Sequence, residues 1–199
     1  HRALACLATI LERADPAAIP RLAALATDSA RAEARCSALW LLRSLAALTV
    51  GMIEGALRDR DARVREQGVI LATGQLESMP GLGDRLAEMA PDPDARVRFL
   101  TALGLGGVRA PGTIDGLAAI SSRDAGDRWT RAAVSSGIGS RAPEFVEALI
   151  TRTSADARSA VGVMVRETSR IVGTGGTPAE ARRLLARAKV AGEDSPWLV

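Results

Sequence analysis

The sequence predicts an all-α chain: a right-handed α-solenoid of about five to six stacked helix pairs. Three observations predict it. The pentapeptide Asp61-Ala62-Arg63-Val64-Arg65 recurs unchanged as Asp94-Ala95-Arg96-Val97-Arg98, 33 residues later, and after another 33 residues Asp127 and Arg131 keep its first and last members. Going back, Arg35 lies 30 residues before Arg65, and Arg2 lies 33 before Arg35. A fixed period of this length marks stacked helix pairs, each contacting only its neighbours. The second observation is composition: 47% of the chain is hydrophobic but only 3% is aromatic, with no Tyr. Ala and Leu dominate the apolar set and favour helix, whereas strands draw on aromatic and β-branched residues. The third is that apolar residues recur at helical spacing along the whole chain.

Residues 2–13 read as a helix with Leu4, Leu7, Ile10 and Leu11 on one stripe. Asp15-Pro16 ends it and starts the next, which turns Ile19, Leu22 and Leu25 inward. After a turn at Asp28-Ser29, a long helix over about 30–48 places Ala38, Leu41, Leu45 and Leu48 on one face, with Trp40 at its edge. A short helix over 49–58 buries Met52, Ile53, Ala56 and Leu57. Asp61 then caps a helix over 62–77, its carboxylate accepting from unpaired first-turn amides. Pro80 opens a short helix with Leu82, Leu86 and Met89 inward. Pro91 to Asp94 form a rigid turn ending in a cap, and Val97, Leu100, Thr101 and Gly104 follow at helical spacing. Gly104, Gly106 and Gly107 end that helix. Pro111 precedes one with Ile114, Leu117 and Ile120. Asp127 caps a helix over about 128–138, ended by Gly137 and Gly139, and Pro143 opens one with Phe145, Val146, Leu149 and Ile150. A longer helix spans 155–172, although its Val161-Gly162-Val163-Met164-Val165 run also fits a short strand. Gly173 to Gly176 read as a flexible loop. Thr177-Pro178-Ala179-Glu180 is a capping box with Pro at the first helical position, opening a last helix over 178–190 with Leu184, Leu185 and Ala188 inward. The tail Trp197-Leu198-Val199 reads as an interrupted continuation. This makes about twelve helices in a single array over 1–199, with repeats at roughly 2–48, 49–79, 80–110, 111–142 and 143–190. The first residue is His1 rather than Met, which points to a fragment of a longer protein.

The recurring residues have local reasons. Asp61, Asp94 and Asp127 sit where an acidic side chain caps a helix and complements its positive end. Val64 and Val97 begin buried faces. Arg35, Arg65, Arg98 and Arg131 lie one turn inside, and two readings of them stay open. In one they form a ladder, each bridging to the Asp or a turn carbonyl of the next unit and fixing register between repeats, a task that suits a planar fork of donors. In the other they are a row of cations for an acidic partner. Trp129, directly after a cap, is either packed between repeats or a partner contact.

The phrase DxRVR followed by small and apolar residues resembles HEAT-type repeats. More narrowly, RCSALWLLRSL, DARVREQGVILA, DARVRFLTALG and DRWTRAAVSS, in this order, resemble the HEAT segment of large multidomain bacterial proteins predicted to be membrane-bound dehydrogenases. The resemblance covers nearly the whole chain, most clearly residues 30–150. It implies a preceding β-propeller, similar to those of sugar and quinoprotein dehydrogenases, a following c-type haem domain, and a periplasmic or membrane-associated location. The chain departs from the full architecture: it has no CxxCH motif and no propeller strands, and its one histidine is His1. No catalytic or haem-binding residue carries over, so any dehydrogenase activity would belong to neighbouring domains.

No HExxH, GxSxG or P-loop pattern is present. Gly173-Thr174-Gly175-Gly176 lacks the Lys-Ser/Thr ending of a phosphate loop, and one terminal His with two separated cysteines, Cys6 and Cys36, is a poor zinc set. The two cysteines read as reduced core residues in adjacent units, with a disulfide as the alternative. The net charge is +3, carried almost wholly by Arg since Lys189 is the only lysine, and 23 interspersed acids argue against nucleic acid, which calls for a basic face. No apolar run is long enough for a transmembrane helix. The sequence thus points to a non-catalytic scaffold, with no catalytic, cofactor or metal residues of its own. It would bind a protein partner or space flanking domains. The alternative is an accessory segment of a quinoprotein or c-type haem dehydrogenase, shaping a neighbouring active site.

Overall fold

A computed structural model describes residues 16–79, 81–110, 112–152 and 158–175, together with 177–179, 181, 182 and 186. Among these residues every regular element is helical, and none is a strand. The chain divides into two compact units, His1–Met79 and Pro80–Val199.

In the first unit a 3-10 turn, Pro16–Ala18, leads into α1 (Ile19–Asp28), followed by α2 (Ala32–Ser44), α3 (Val50–Leu57) and α4 (Ala62–Thr73). Sequence neighbours pair, α1 on α2 and α3 on α4, and alternate helices also touch, α1 on α3 and α2 on α4. Leu22, Leu39, Leu42, Ile53, Leu57, Val64 and Leu71 fill the space between them. The Thr49 hydroxyl accepts the Met52 amide and starts α3; the Asp61 carboxylate does the same for α4 through Arg63. α2 is shorter than its apolar pattern suggests. Past Ser44 the backbone turns at Ala46, whose φ of 54° is left-handed, and the Ala47 amide donates back to the Leu42 carbonyl. That is a Schellman ending with alanine where glycine is favoured.

The second unit contains α5 (Leu82–Ala87), α6 (Ala95–Leu105), α7 (Thr113–Asp124), α8 (Arg128–Ile138), a 3-10 turn (Gly139–Arg141), α9 (Ala142–Arg152) and α10 (Arg158–Gly175). α5, α7 and α9 pack in sequence against one another, α6 packs on α8, and the chain neighbours α5 and α6, α6 and α7, α7 and α8, and α9 and α10 also pair. Leu86, Val97, Leu105, Leu117, Ile120, Val134, Phe145, Leu149 and Met164 form the core. α6 and α8 approach backbone to backbone. A Cβ on Gly106 would lie 2.8 Å from the Gly137 Cα, and one on Gly137 would collide with the Gly106 Cα. Arg141 fastens the same corner, donating to the carbonyls of Val108 at 2.7 Å, Gly137 at 3.0 Å and Gly106 at 3.4 Å. Burial holds its guanidinium below the ordinary arginine value.

Two sequence expectations are corrected. Leu100 is half-buried rather than core. Its neighbours Val97, Thr101, Ala102 and Leu105 take the inward face of α6. Gly173 to Gly175 continue α10 instead of forming a loop. The Val161–Val165 run is helical, as expected for the longer helix rather than its strand alternative, with Val161 and Met164 fully buried. The expected helix over 2–13 with Arg2 and Cys6, the residues Leu184, Leu185 and Ala188 of the last helix, and the tail Trp197–Val199 lie outside the described residues.

Candidate functional site

Four turns share one arginine geometry. Each guanidinium donates from Nη1 to the carbonyl six residues before it: Arg35 to Ser29 at 2.6 Å, Arg65 to Asp59 at 3.0 Å, Arg98 to Asp92 at 2.7 Å and Arg131 to Ala125 at 2.9 Å. The side chain thus holds the turn that precedes its own helix. Arg35 and Arg98 also fork onto a carboxylate at or just past the C-terminal end of the next helix in the chain. Arg35 on α2 donates from Nε and Nη2 to the two oxygens of Asp59, both at 2.7 Å, and Arg98 on α6 does the same to Asp124, both at 2.6 Å. Arg35 is 2% exposed and Arg98 4%. Arg131 lies 3.6 Å from Glu167 of α10.

Burial of two ions is compensated only by geometry of this quality. The forks raise the pKa of Arg35 and of Arg98 above the ordinary arginine value, through the hydrogen bonds to Asp59 and Asp124 respectively. At Asp59 burial pushes the carboxyl up, but the Arg35 fork and the Asp61 amide outweigh it and the net shift is down. The same turn carries a second Asp with a different duty. Asp61, Asp94 and Asp127 are the caps. Asp94 accepts the Arg96 and Val97 amides, and Asp127 accepts the Trp129 and Thr130 amides and the Thr130 hydroxyl. Asp61 is held low by Arg63, which chelates it and reaches on to Glu33 at 2.7 Å. The fork acceptors Asp59 and Asp124 were not singled out by the sequence. Their signal was a second Asp ahead of each cap, Asp59 before Asp61, Asp92 before Asp94 and Asp124 before Asp127.

Trp129 is 61% exposed at the start of α8, with the Arg128 guanidinium stacked 4.5 Å over its ring. It borders a groove of about 370 Å³ lined by Ala95, Arg96, Phe99, Leu100, Asp124, Asp127 and Thr130. Arg96, Phe99, Leu100 and Leu103 follow at the i, i+3, i+4, i+7 spacing of one helix face, and Leu103 is 45% exposed. The sequence marked Trp129 but missed this second apolar stripe of α6. A separate polar cleft between α7 and α9 holds Asp115, Glu144 and Glu147, with Arg152 paired to Asp115 at 3.0 Å.

Among the described residues no group of His, Cys, Asp and Glu is placed to hold a metal ion, and no helix is long and apolar enough to cross a membrane. Cys36 is a free thiol, and burial raises its pKa, which disfavours the reactive thiolate. No family model matches the chain, and no curated protein is significantly similar to it.

Proposed function

We propose that this chain is a non-catalytic HEAT-like scaffold, a right-handed α-solenoid of five to six helix pairs, that binds a protein partner or spaces domains within a larger bacterial protein. One observation carries the binding reading: exposed Trp129 and half-buried Phe99 and Leu100 line the groove, and exposed Leu103 follows on the same face of α6. Contiguous exposed apolar surface rimmed by polar groups marks an interaction site. The forked arginines support it indirectly, since Arg98 fixes the turn before α6 and joins Asp124, which lines the groove. A binding surface works best on elements that do not shift. No geometric observation favours the alternative, an accessory segment of a quinoprotein or c-type haem dehydrogenase, over the scaffold.

The test places a photo-crosslinking benzoylphenylalanine at position 129 in the full-length protein in its host. Crosslinks to polypeptide that vanish when Leu103→Asp is added would support the reading. Irradiation that yields no polypeptide adduct would remove the groove as a protein-binding surface. Small-angle scattering tests the solenoid separately, because a stacked array gives a long, asymmetric pair-distance distribution and a globule does not.

A further inference from the structure

We propose that the groove beside Trp129 takes a short linear peptide segment through one bulky, uncharged apolar side chain, with no ion pair to its walls. This rests on the groove being a protein-binding surface, and it adds the chemistry of the partner. The walls are apolar: Phe99 and Leu100 from α6 and Trp129 from α8. The polar groups among them are taken up by the chain itself. Asp124 has each oxygen on the fork of Arg98, Asp127 accepts two helix amides, and the Thr130 hydroxyl donates to Asp127. Arg96 is exposed and not without a partner. A charged side chain entering the groove would give up its hydration for groups that already have partners, whereas an apolar one gains by leaving water. The volume of about 370 Å³ lies at the low end of the roughly 300–1,000 Å³ of ordinary ligand pockets, so it admits one or two side chains.

The corresponding seam of the first unit shows what fills this place when the chain closes it. Counted from the fork arginines, Glu33, Cys36 and Ser37 of α2 stand where α6 has Arg96, Phe99 and Leu100. Counted from the caps, Arg63 of α4 stands where α8 has Trp129. Arg63 donates across that first seam to Glu33 at 2.7 Å, and the Cys36 thiol lies 3.9 Å from the Arg63 carbonyl. In the second unit the ion pair becomes Trp129 and Arg96, which share no opposite charge, and the small Cys36 and Ser37 become Phe99 and Leu100. The second seam has exchanged a polar bridge for apolar walls. Its cover comes from outside the seam, and apolar walls select an apolar cover. The rings of Trp129 and Phe99 favour an aromatic or branched aliphatic anchor.

The experiment pans the full-length chain against a random dodecapeptide library, with Trp129→Ala as the counter-selection, and measures the selected peptides by fluorescence polarisation. Trp129 and Arg96 are exposed, so their variants should fold, and circular dichroism checks this. The expected winners share one Leu, Ile, Phe or Trp, and replacing it by Ala should weaken binding at least about tenfold, as at a hot spot. Their affinity should change less than about threefold between about 50 and 500 mM sodium chloride, a range that screens exposed charges. Arg96→Gln should likewise change it less than about threefold, because a charge outside the binding contact acts weakly. Trp129-dependent winners that need an Asp, Glu, Lys or Arg, or that exceed the threefold limit in salt or with Arg96→Gln, would overturn the uncharged anchor and leave the groove as a binding surface. A library with no Trp129-dependent winner would overturn both.

Discussion

The two units use the same turn and dress it differently. Thirty-three residues separate α4 from α6, and the pentapeptide that opens both is identical. On the face that follows, α4 carries Arg63, Glu66, Gln67 and Ile70 where α6 carries Arg96, Phe99, Leu100 and Leu103. In the first unit polar side chains close that face: Arg63 bridges to Glu33 and Asp61, and Gln67 accepts the indole N–H of Trp40 at 2.8 Å. In the second unit Phe99 and Leu100 stand where α4 has Glu66 and Gln67, and the groove lies open beside Trp129. The repeated residues build the frame, and the unrepeated ones distinguish a closed face from an open one.

The largest effect is expected in what the units share. Arg35→Ala and Arg98→Ala should each cost about 3–5 kcal/mol in denaturant unfolding, because each leaves a carboxylate in a buried site without its fork. Replacing both partners, Arg98→Met with Asp124→Leu, should cost clearly less than Arg98→Ala alone, since no buried charge is then stranded. Equal costs would show that the fork is solvated. Acid should act on the same turns. The folded-state pKa values of Asp59, Asp61 and Asp127 are lowered. Their contribution is therefore complete above the unfolded-state value near 3.8 and is lost as pH falls through the lower folded values. Stability measured downward from about pH 5 should decline, and Asp59→Asn should flatten that decline.

Core and groove leucines form the next contrast. Leu71, fully buried in α4, should cost about 2–5 kcal/mol on truncation to Ala. Leu100→Ala, on the half-buried floor of the groove, should cost about 1 kcal/mol or less. A comparable loss at Leu100 would mean that the groove is shut in solution.

What could be read from the sequence follows the range of each interaction. The caps Asp61, Asp94 and Asp127 were legible because a cap joins residues two or three apart. The forks were not, because Arg35 meets Asp59 across 24 residues and Arg98 meets Asp124 across 26, in each case beyond the helix that carries the arginine. The spacing also shifts: two residues separate Asp92 from its cap and three separate Asp124 from Asp127, which breaks the exact repeat. Leu100 was misread because α6 has apolar residues on two faces, and periodicity alone does not say which face is covered. Gly173 to Gly175 read as a loop because glycine disfavours helix, but at about 1 kcal/mol per residue that preference yields to context at a helix end. The Thr174 hydroxyl bonds the Arg170 carbonyl within that turn.

The two tryptophans give the smallest effect and the most direct test of the difference between the units. Trp40 is half-buried, donates its indole N–H to Gln67 and lies under Arg43 at 5.1 Å. Truncating it to Ala removes the hydrogen bond, worth about 1 kcal/mol, and part of its packing, for a total loss of about 2 kcal/mol, below the roughly 3–5 of a fully buried aromatic. Trp129 contributes its ring mainly to the groove wall and to the stack with Arg128. Trp129→Ala should therefore change stability by less than about 0.5 kcal/mol, as expected for an exposed position. It should also lower the fluorescence of a dye that reports exposed apolar surface, whereas Trp40→Ala should leave that signal unchanged or raise it. If Trp129→Ala instead unfolds the chain as readily as Trp40→Ala does, the exposed ring is a structural member and the contrast between a closed and an open face fails.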